Sequence, residues 1–525
     1  MANLRGSARV TAISALVLSA MLLGAPLAPM RAQAAASPPV ATEYSDEDFV
    51  TLYPGVYTER EAALVRAYLE ANRALRERGP IDIKALIEGR LPKNTPGIGP
   101  VVRASEDWVR YNNAKYDPES RLRHDAAYAR QLGYKDIVAF VSFAAHDDTF
   151  MVPYPTAARD RLLVSHLNHS LTSHRPIHPG DTLYLVMDDR RMRDLTPPGG
   201  AKMRSVAIES DGSIYNQRGE KVSSVTFRVV ESVRILKDPS RAPKNPGFFD
   251  IWEAPDWLRR PAHVYTDADW TRIRNIWAQE RMRGAEPLYW DDVTIGEQPA
   301  ATLDGPVLAS VIPVPPWGMG AGGSRTLKRE IMDPASRAKL QRGEKDGIYR
   351  ALDPAVNAPP VPKQSGAATG QGGDGAIVTS DIHKDGEKRS PLVNYVGRDH
   401  AIRHLTNWIG DRGWIETINW SIMDPRAHWV NGKAVPRNPN ALTFLHRVPF
   451  MRDRFVNTHA LTQDVMIVRS YVTDKYSRDG RFLADIVWWI ETIEGDIVEE
   501  GDATVRLPTR AEGADAVTKA VVAGN

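Results

Sequence analysis

The sequence predicts an α+β protein made of two similar half-units. Three observations carry that reading. Residues 111–181 pass from a helix-forming run, HDAAYARQLGYKDIVAF, to HRPIHPGDTLYL, where a Pro-Gly-Asp turn opens into alternating strand. Residues 383–411, HKDGEKRSPLVNYVGRDHAIRHLTNWIGD, echo that order in part. Each stretch is followed by β-rich runs separated by tight turns, the pattern of a helix set against an antiparallel meander.

The elements follow in chain order. Arg5 and Arg9, the apolar run 10–27 and the small-x-small site Ala32-Gln33-Ala34 predict a secretory signal peptide over 1–34, and so a periplasmic or secreted protein. Pro26, Pro29 and the absence of a following charge cluster argue against an uncleaved anchor. No later run approaches the ~20 apolar residues that span a bilayer. Residues 35–107 read as a loose leader with a helix over 58–78, ended by Gly79-Pro80.

The first half-unit is expected over 108–240. It begins with a helix at 124–133 and an ambiguous apolar run at 137–145. Strands follow at 162–173, 181–188, 203–210 and 223–236, with turns at Pro179-Gly180-Asp181, Gly199-Gly200, Asp211-Gly212 and Arg218-Gly219. Residues 241–286 form a Trp- and Pro-rich connector with a helix over 267–283. The second half-unit is expected over 287–510. Its helix covers 398–410 and its strands 416–423, 464–473, 481–492 and 496–507, with hairpin turns at Asp479-Gly480 and Gly495-Asp496. Residues 359–374 (PPVPKQSGAATGQGGD) read as a mobile loop or linker, and 511–525 as a small-residue tail.

Composition excludes several function classes. With 525 residues the chain is too long for one small core. The 67 basic and 65 acidic residues leave a net charge of +2, which gives no general attraction to nucleic acid. There is no cysteine, so disulfides, thiolate metal sites and a cysteine nucleophile are excluded. Gly318-x-Gly320-x-Gly322-Gly323 follows prolines rather than a strand and lacks the βαβ context of a dinucleotide site. His146-Asp147-Asp148 is a dense polar cluster, but adjacent residues do not converge easily on one metal ion. The tryptophans (Trp252, Trp257, Trp270, Trp277, Trp488-Trp489) read as packing residues between half-units. No cofactor and no metal are expected.

A set of short motifs, in order, resembles the MaoC-like dehydratases and hydratases that carry two hot-dog units in one chain. In the first half these are Leu122, Asp125, Tyr128-Ala129-Arg130, Gly133-Tyr134, Pro176-x-x-Pro179-Gly180-Asp181-Thr182-Leu183 and Asn216-Gln217-Arg218-Gly219-Glu220-x-Val222. In the second half they are Asp291-Asp292-Val293-x-Ile295-Gly296-x-Gln298-Pro299, His383-x-Asp385, Thr406-Asn407-Trp408-Ile409-Gly410-Asp411 and Gly501-x-Ala503-Thr504-Val505-x-Leu507-Pro508. The resemblance implies a double hot dog, each unit a helix laid across a curved antiparallel sheet. It also implies an acyl-type substrate and an Asp/His acid–base pair within a Gly-Asp-x-Asn-Pro-x-His motif. This chain departs there. Aligned on Asp125 and Tyr128-Ala129-Arg130, the His position holds Arg123 and the Asn-Pro position holds Ser120-Arg121; Asp117-Pro118 and His124 lie nearby, out of register.

Addition or removal of water beside an acyl carbonyl needs a base, an acid and donors for the developing oxyanion. The candidate catalytic residues are therefore His383 with Asp385, and Asp117 with His124; the competing roles are a solvated loop for the first pair and helix capping for the second. Asn407, Trp408, Asp411 and Arg398 are candidate substrate-binding residues, with a helix C-cap as the competing role for Asn407 and Asp411. The leading function is a hydratase or dehydratase acting on an α,β-unsaturated or β-hydroxy acyl group. The alternatives are a non-catalytic hot-dog protein that binds a hydrophobic ligand, and a thioesterase. Export disfavours a coenzyme A thioester and favours a free acid, ester or terpenoid-like compound. A homodimer is expected, without nucleic acid and without a membrane anchor after cleavage.

Overall fold

Ten strands share one sheet, and the order in which they lie repeats. The computed structural model describes residues 70–145, 162–194, 203–234, 260–308, 326–351, 389, 392, 394–421, 427–430, 433–436 and 443–524. The expected signal segment and the 359–374 loop lie outside these residues, as do the Gly199-Gly200 turn, His146-Asp147-Asp148, Trp252 and Trp257. The strands of the large sheet are β1 (Ile98–Arg103), β2 (Leu162–Ser173), β3 (Thr182–Asp194), β4 (Met203–Asn216), β5 (Lys221–Arg234), β6 (Thr302–Asp304), β7 (Trp414–Ser421), β8 (Met466–Arg478), β9 (Arg481–Glu491) and β10 (Ile497–Arg506). Their spatial order is β1-β3-β4-β5-β2-β7-β10-β9-β8-β6. Read outward from the middle, the second half mirrors the first: β7 stands for β2, β10 for β5, β9 for β4, β8 for β3 and β6 for β1. Every neighbouring pair is antiparallel.

The seam between the halves is β2 against β7, paired from Asn168↔Ser421 to Thr172↔Thr417. In-register residues share a face, so His169 and Trp420 lie side by side, with ring centroids 5.1 Å apart. A continuous buried cluster crosses the seam. It includes Leu171 and Phe227 from the first half and Ile418, Trp420, Ile486 and Trp488 from the second.

Six helices matter for the site: α1 (Glu106–Tyr116), α2 (Arg121–His124), α3 (Ala126–Gln131), α4 (Asp267–Gln279), α5 (Asn394–Ile409) and α6 (Ala516–Ala523). Ser105 caps α1 through the Trp108 N–H, ahead of Glu106 and Asp107 in the first turn. Thr266 and Asp269 form a reciprocal capping box on α4. Trp270 and Trp277 on α4 pack on Leu303 and Ile467 of the second half. Helix α5 lies across β7, β8 and β9 and touches α1. It ends at Gly410, whose φ of +71° suits a glycine after a helix C-terminus.

Several expectations change. The helix expected over 124–133 breaks at Asp125, whose carboxylate caps α3 through the Tyr128 N–H at 3.0 Å. The ambiguous run at 137–145 is neither helix nor strand but a buried loop. The expected Asp211-Gly212 turn lies inside β4, where Gly212 is paired with Met187 and Val225. Two flanking ladders outweigh the local turn preference there. The small-residue tail carries α6, of which Val517, Thr518 and Val521 are buried.

Candidate active site

The end of α1 and the loop after it build a buried polar corner. Asp117 follows α1 directly and is 2% exposed. Arg123, in α2, sets its Nε 3.8 Å from Asp117 Oδ2. The guanidinium is fixed from the other side: its Nη1 donates to the carbonyls of Val138 at 3.3 Å and Ala139 at 2.6 Å. Asn113 ties the two segments together. Its amide donates to the Arg123 carbonyl at 2.8 Å and the Val138 carbonyl at 3.1 Å, and its oxygen accepts from the Phe140 N–H at 2.8 Å. The irregular 137–145 loop therefore has side-chain partners for backbone groups that no ladder satisfies.

Burial pushes the Asp117 carboxyl up to about 6, against the pull of Arg123 and Arg403. The His124 ring does not meet that carboxylate. Its Nε2 lies 3.1 Å from the Asp117 backbone carbonyl, and burial lowers its pKa. The partner of the Asp117 carboxylate is thus Arg123, in the position where the resemblance expects a histidine.

The other half contributes the end of α5. Asp411 Oδ2 accepts from the Tyr128 hydroxyl at 2.6 Å, and burial raises the Asp411 carboxyl. Asp117, Ser120, Arg123, Tyr134, Thr406 and Asp411 line a cavity of about 30 Å³, enough for one water. Among the described residues, Asp117 Oδ1 and Arg123 Nε have no hydrogen-bond partner. The cavity thus offers one acceptor and one cationic donor.

The remaining expected residues are distributed along or beyond α5. The Asn407 carbonyl accepts from the Arg283 N–H at 3.0 Å, and Trp408 Nε1 donates to Glu297 at 2.8 Å. Neither side chain lines the cavity. Arg398 is fully buried one turn after the start of α5, and its Nε donates to Asp399 Oδ1 at 2.9 Å. His383 and Asp385 lie outside the described residues. Sequence reasoning used Tyr128 only as part of a motif and Arg123 only as the mark of a missing histidine. It also missed the polar face of α5: Arg403 pairs with Asp304, His400 Nδ1 lies 3.6 Å from Asp304 Oδ2, and His404 Nε2 is 2.8 Å from Ser470 Oγ. The signal was visible as five charged or imidazole residues in Arg398–His404 within a helix flanked by apolar residues. Among the described residues no cluster of His, Asp and Glu is set to hold a metal ion, and no helix is long and apolar enough to cross a membrane.

The decisive structural observation is the repeated strand order, with α5 laid across its half of the sheet. The fold is a double hot dog. No protein-family model matches the chain, and no curated protein matches its sequence. Solved structures similar to it include a MaoC-like dehydratase, at 11% identity and a TM-score of 0.36, covering 78% of this chain and 95% of the other. A MaoC domain protein dehydratase from Chloroflexus aurantiacus J-10-fl is 14% identical with a TM-score of 0.37, covering 80% and 100%. A conserved Mycobacterium tuberculosis protein described as a double hot-dog fold is 11% identical with a TM-score of 0.35, covering 82% and 99%. Likeness at this level carries no activity across; the double hot dog rests on the strand order of this chain.

Proposed function

We propose that this double hot-dog protein is a hydratase or dehydratase acting on an α,β-unsaturated or β-hydroxy acyl-type substrate, with Asp117 as its acid–base group. The observation that supports this reading is the pair of Asp117 Oδ1 and Arg123 Nε, both buried and without a hydrogen-bond partner among the described residues, on a cavity the size of one water. A carboxyl held near 6 exchanges protons readily close to neutrality. In hydration, the Asp117 carboxylate takes one proton of the water as its oxygen bonds to the β-carbon. The acid so formed returns that proton to the α-carbon, and elimination runs the same path backwards. Arg123 holds the water oxygen or the developing oxyanion by a charge-assisted bond. His383 and Asp385 remain the proposed pair of the second half. The leader read in 1–34 makes an ester, free acid or terpenoid-like substrate part of the proposal rather than a coenzyme A thioester, and a homodimer the proposed assembly.

A second reading, non-catalytic binding, is favoured by one fact: an arginine and not an imidazole faces the Asp117 carboxylate. The experiment is to incubate the protein with crotonyl and 3-hydroxybutyryl thioesters, esters and free acids and follow enoyl absorbance. A lyase interconverts them, and Arg123→Leu lowers the rate. A binder leaves the absorbance unchanged, and a thioesterase releases free thiol without consuming the enoyl group. His383→Ala and His124→Ala, run alongside, assign or remove the two imidazoles.

A further inference from the structure

The mirrored halves part company after their first strands. In the first half, residues 104–105 join β1 to α1; in the second, residues 305–393 stand between β6 and α5. The body of this insertion, residues 326–351, is seated on the second half. Its Ile331 and Ile348 share one buried cluster with Trp270, Trp277 and Leu303. Trp270 Nε1 donates to the Gly347 carbonyl at 2.8 Å, and the Tyr265 N–H donates to the Asp346 carbonyl at 2.9 Å.

From this seat the helix Thr326–Met332 reaches back to the first half. Lys328 Nζ lies 2.6 Å from Glu280 Oε2 and 3.2 Å from Glu119 Oε1. The two ends are unequal. Glu280 follows α4, its side chain is 4% exposed, and its Oε1 accepts from the Leu303 N–H of β6 at 2.8 Å. The Glu119 side chain is 29% exposed and stands on the loop between α1 and α2. The shorter and more deeply buried charge-assisted bond is the stronger. Glu280 therefore fixes the ammonium, and the ammonium in turn holds Glu119. Glu119 lies between Asp117 and Ser120, both of which line the cavity. Inside that loop the Ser120 N–H reaches the Asp117 carbonyl only at 3.4 Å, beyond the usual range, and Pro118 has no N–H to give.

We infer that Lys328 is a positioning residue: through Glu119 it sets the loop that carries Asp117, so that the second half's insertion holds the first half's acid–base group in place. The catalytic meaning of that contact rests on the function proposed above; the contact itself does not. Charge follows the geometry. The charged groups facing the Asp117 carboxyl are Arg123 from α2, Arg403 from α5, Asp411 after α5 and Glu119 from its own loop. The Tyr134 ring stands on the same cavity, and the His124 ring meets the Asp117 carbonyl. The Glu119 charge works against ionisation of Asp117, and Lys328 offsets that charge.

The test follows the Asp117 carboxyl by carbon NMR in the full chain, with aspartate labelled at Cγ; its signal is the one absent from Asp117→Asn. In the parent it titrates at about 6. Lys328→Met leaves Glu119 uncompensated and moves the midpoint up by about half a pH unit, and Glu119→Gln moves it down by about as much. Lys328→Met combined with Glu119→Gln returns the midpoint to within about 0.2 of the parent, and Lys328→Arg, able to span both carboxylates, leaves it there. A loop that merely loosened would admit water and lower the midpoint in Lys328→Met and in the double variant alike. Hydration of the crotonyl thioester gives the second readout. There kcat falls about tenfold in Lys328→Met and in the double variant, whose tether is still missing, with KM within about twofold. A parental or lowered midpoint in Lys328→Met, or a parental kcat, overturns the assignment. Should that variant fail to fold, a parental midpoint in Glu119→Gln does so. A parent chain that titrates as expected but hydrates none of the acyl probes removes the lyase reading and leaves Lys328 as the holder of the loop.

Discussion

The Tyr128 hydroxyl donates to the Asp411 carboxylate at 2.6 Å, and this bond joins the helix that follows the first half's polar corner to the end of the second half's helix. Hydrogen bonds to a charged group contribute about 1.5–3 kcal/mol. Tyr128→Phe should therefore lower the unfolding free energy by about that amount. Because Asp411 loses the donor that opposes its burial, its carboxyl should also rise further. Urea unfolding at pH 7 checks the first effect; an unchanged midpoint would show that the bond is not formed in solution.

Asp117 gives a pH dependence with a definite sign. Its folded carboxyl stands at about 6 against an ordinary 3.8, so the folded chain keeps a proton where the unfolded chain has lost it. The stability contributed by that proton is present at low pH and is lost as pH rises through the folded value. At pH 7 the penalty is on the order of 3 kcal/mol. Asp117→Asn should melt above the parent at pH 7 and level with it near pH 4. Melting curves at the two pH values test this, and a variant that melts lower at pH 7 contradicts it.

Asn113 should matter far more than an ordinary polar residue. Its side chain makes three buried hydrogen bonds that shape the Arg123 segment and the 137–145 loop. Asn113→Ala should cost about 1.5–4.5 kcal/mol, at 0.5–1.5 kcal/mol for each bond. Denaturant titration reads the loss; a cost under about 0.5 kcal/mol, typical of a surface change, would mean the loop is held by something else.

His404 should stay neutral across the physiological range. It is fully buried, beside Arg403, and burial brings its pKa down to about 3. In an NMR titration its ring protons should not shift between pH 5 and 8. Because its folded value lies below the unfolded one, its contribution to stability is present above the unfolded value and is lost as pH falls. A transition near pH 6.5 would place the ring in contact with water.

Much of the fold was legible in the sequence because strand alternation and hairpin turns are local signals. The β2 span matched at both ends, and the Asp479-Gly480 turn appears with φ values of +52° and +71° between paired Arg478 and Arg481. The turn expected at Asp211-Gly212 failed because pairing on both sides is not a local property. The site was less legible. Asp117 and Asp411 stand on the same cavity, yet nothing in their spacing says so, because a contact between half-units has no period along the chain. Arg123 looked like a departure from a motif, and its role depends on carbonyls at Val138 and Ala139 in a loop with no regular pattern. The charged face of α5 reads as a solvated surface until α1, β6 and β10 are seen to cover it.

The measurement that bears most directly on the central claim is the rate of crotonyl-thioester hydration between pH 5 and 8 for the parent chain and for Asp117→Asn. The parent should gain activity as pH rises through about 6, and the variant should be slower by about 10²–10⁴-fold at every pH. An Asp117→Asn protein that hydrates the substrate at the parental rate, with the same pH profile, would contradict the assignment of Asp117 as the acid–base group.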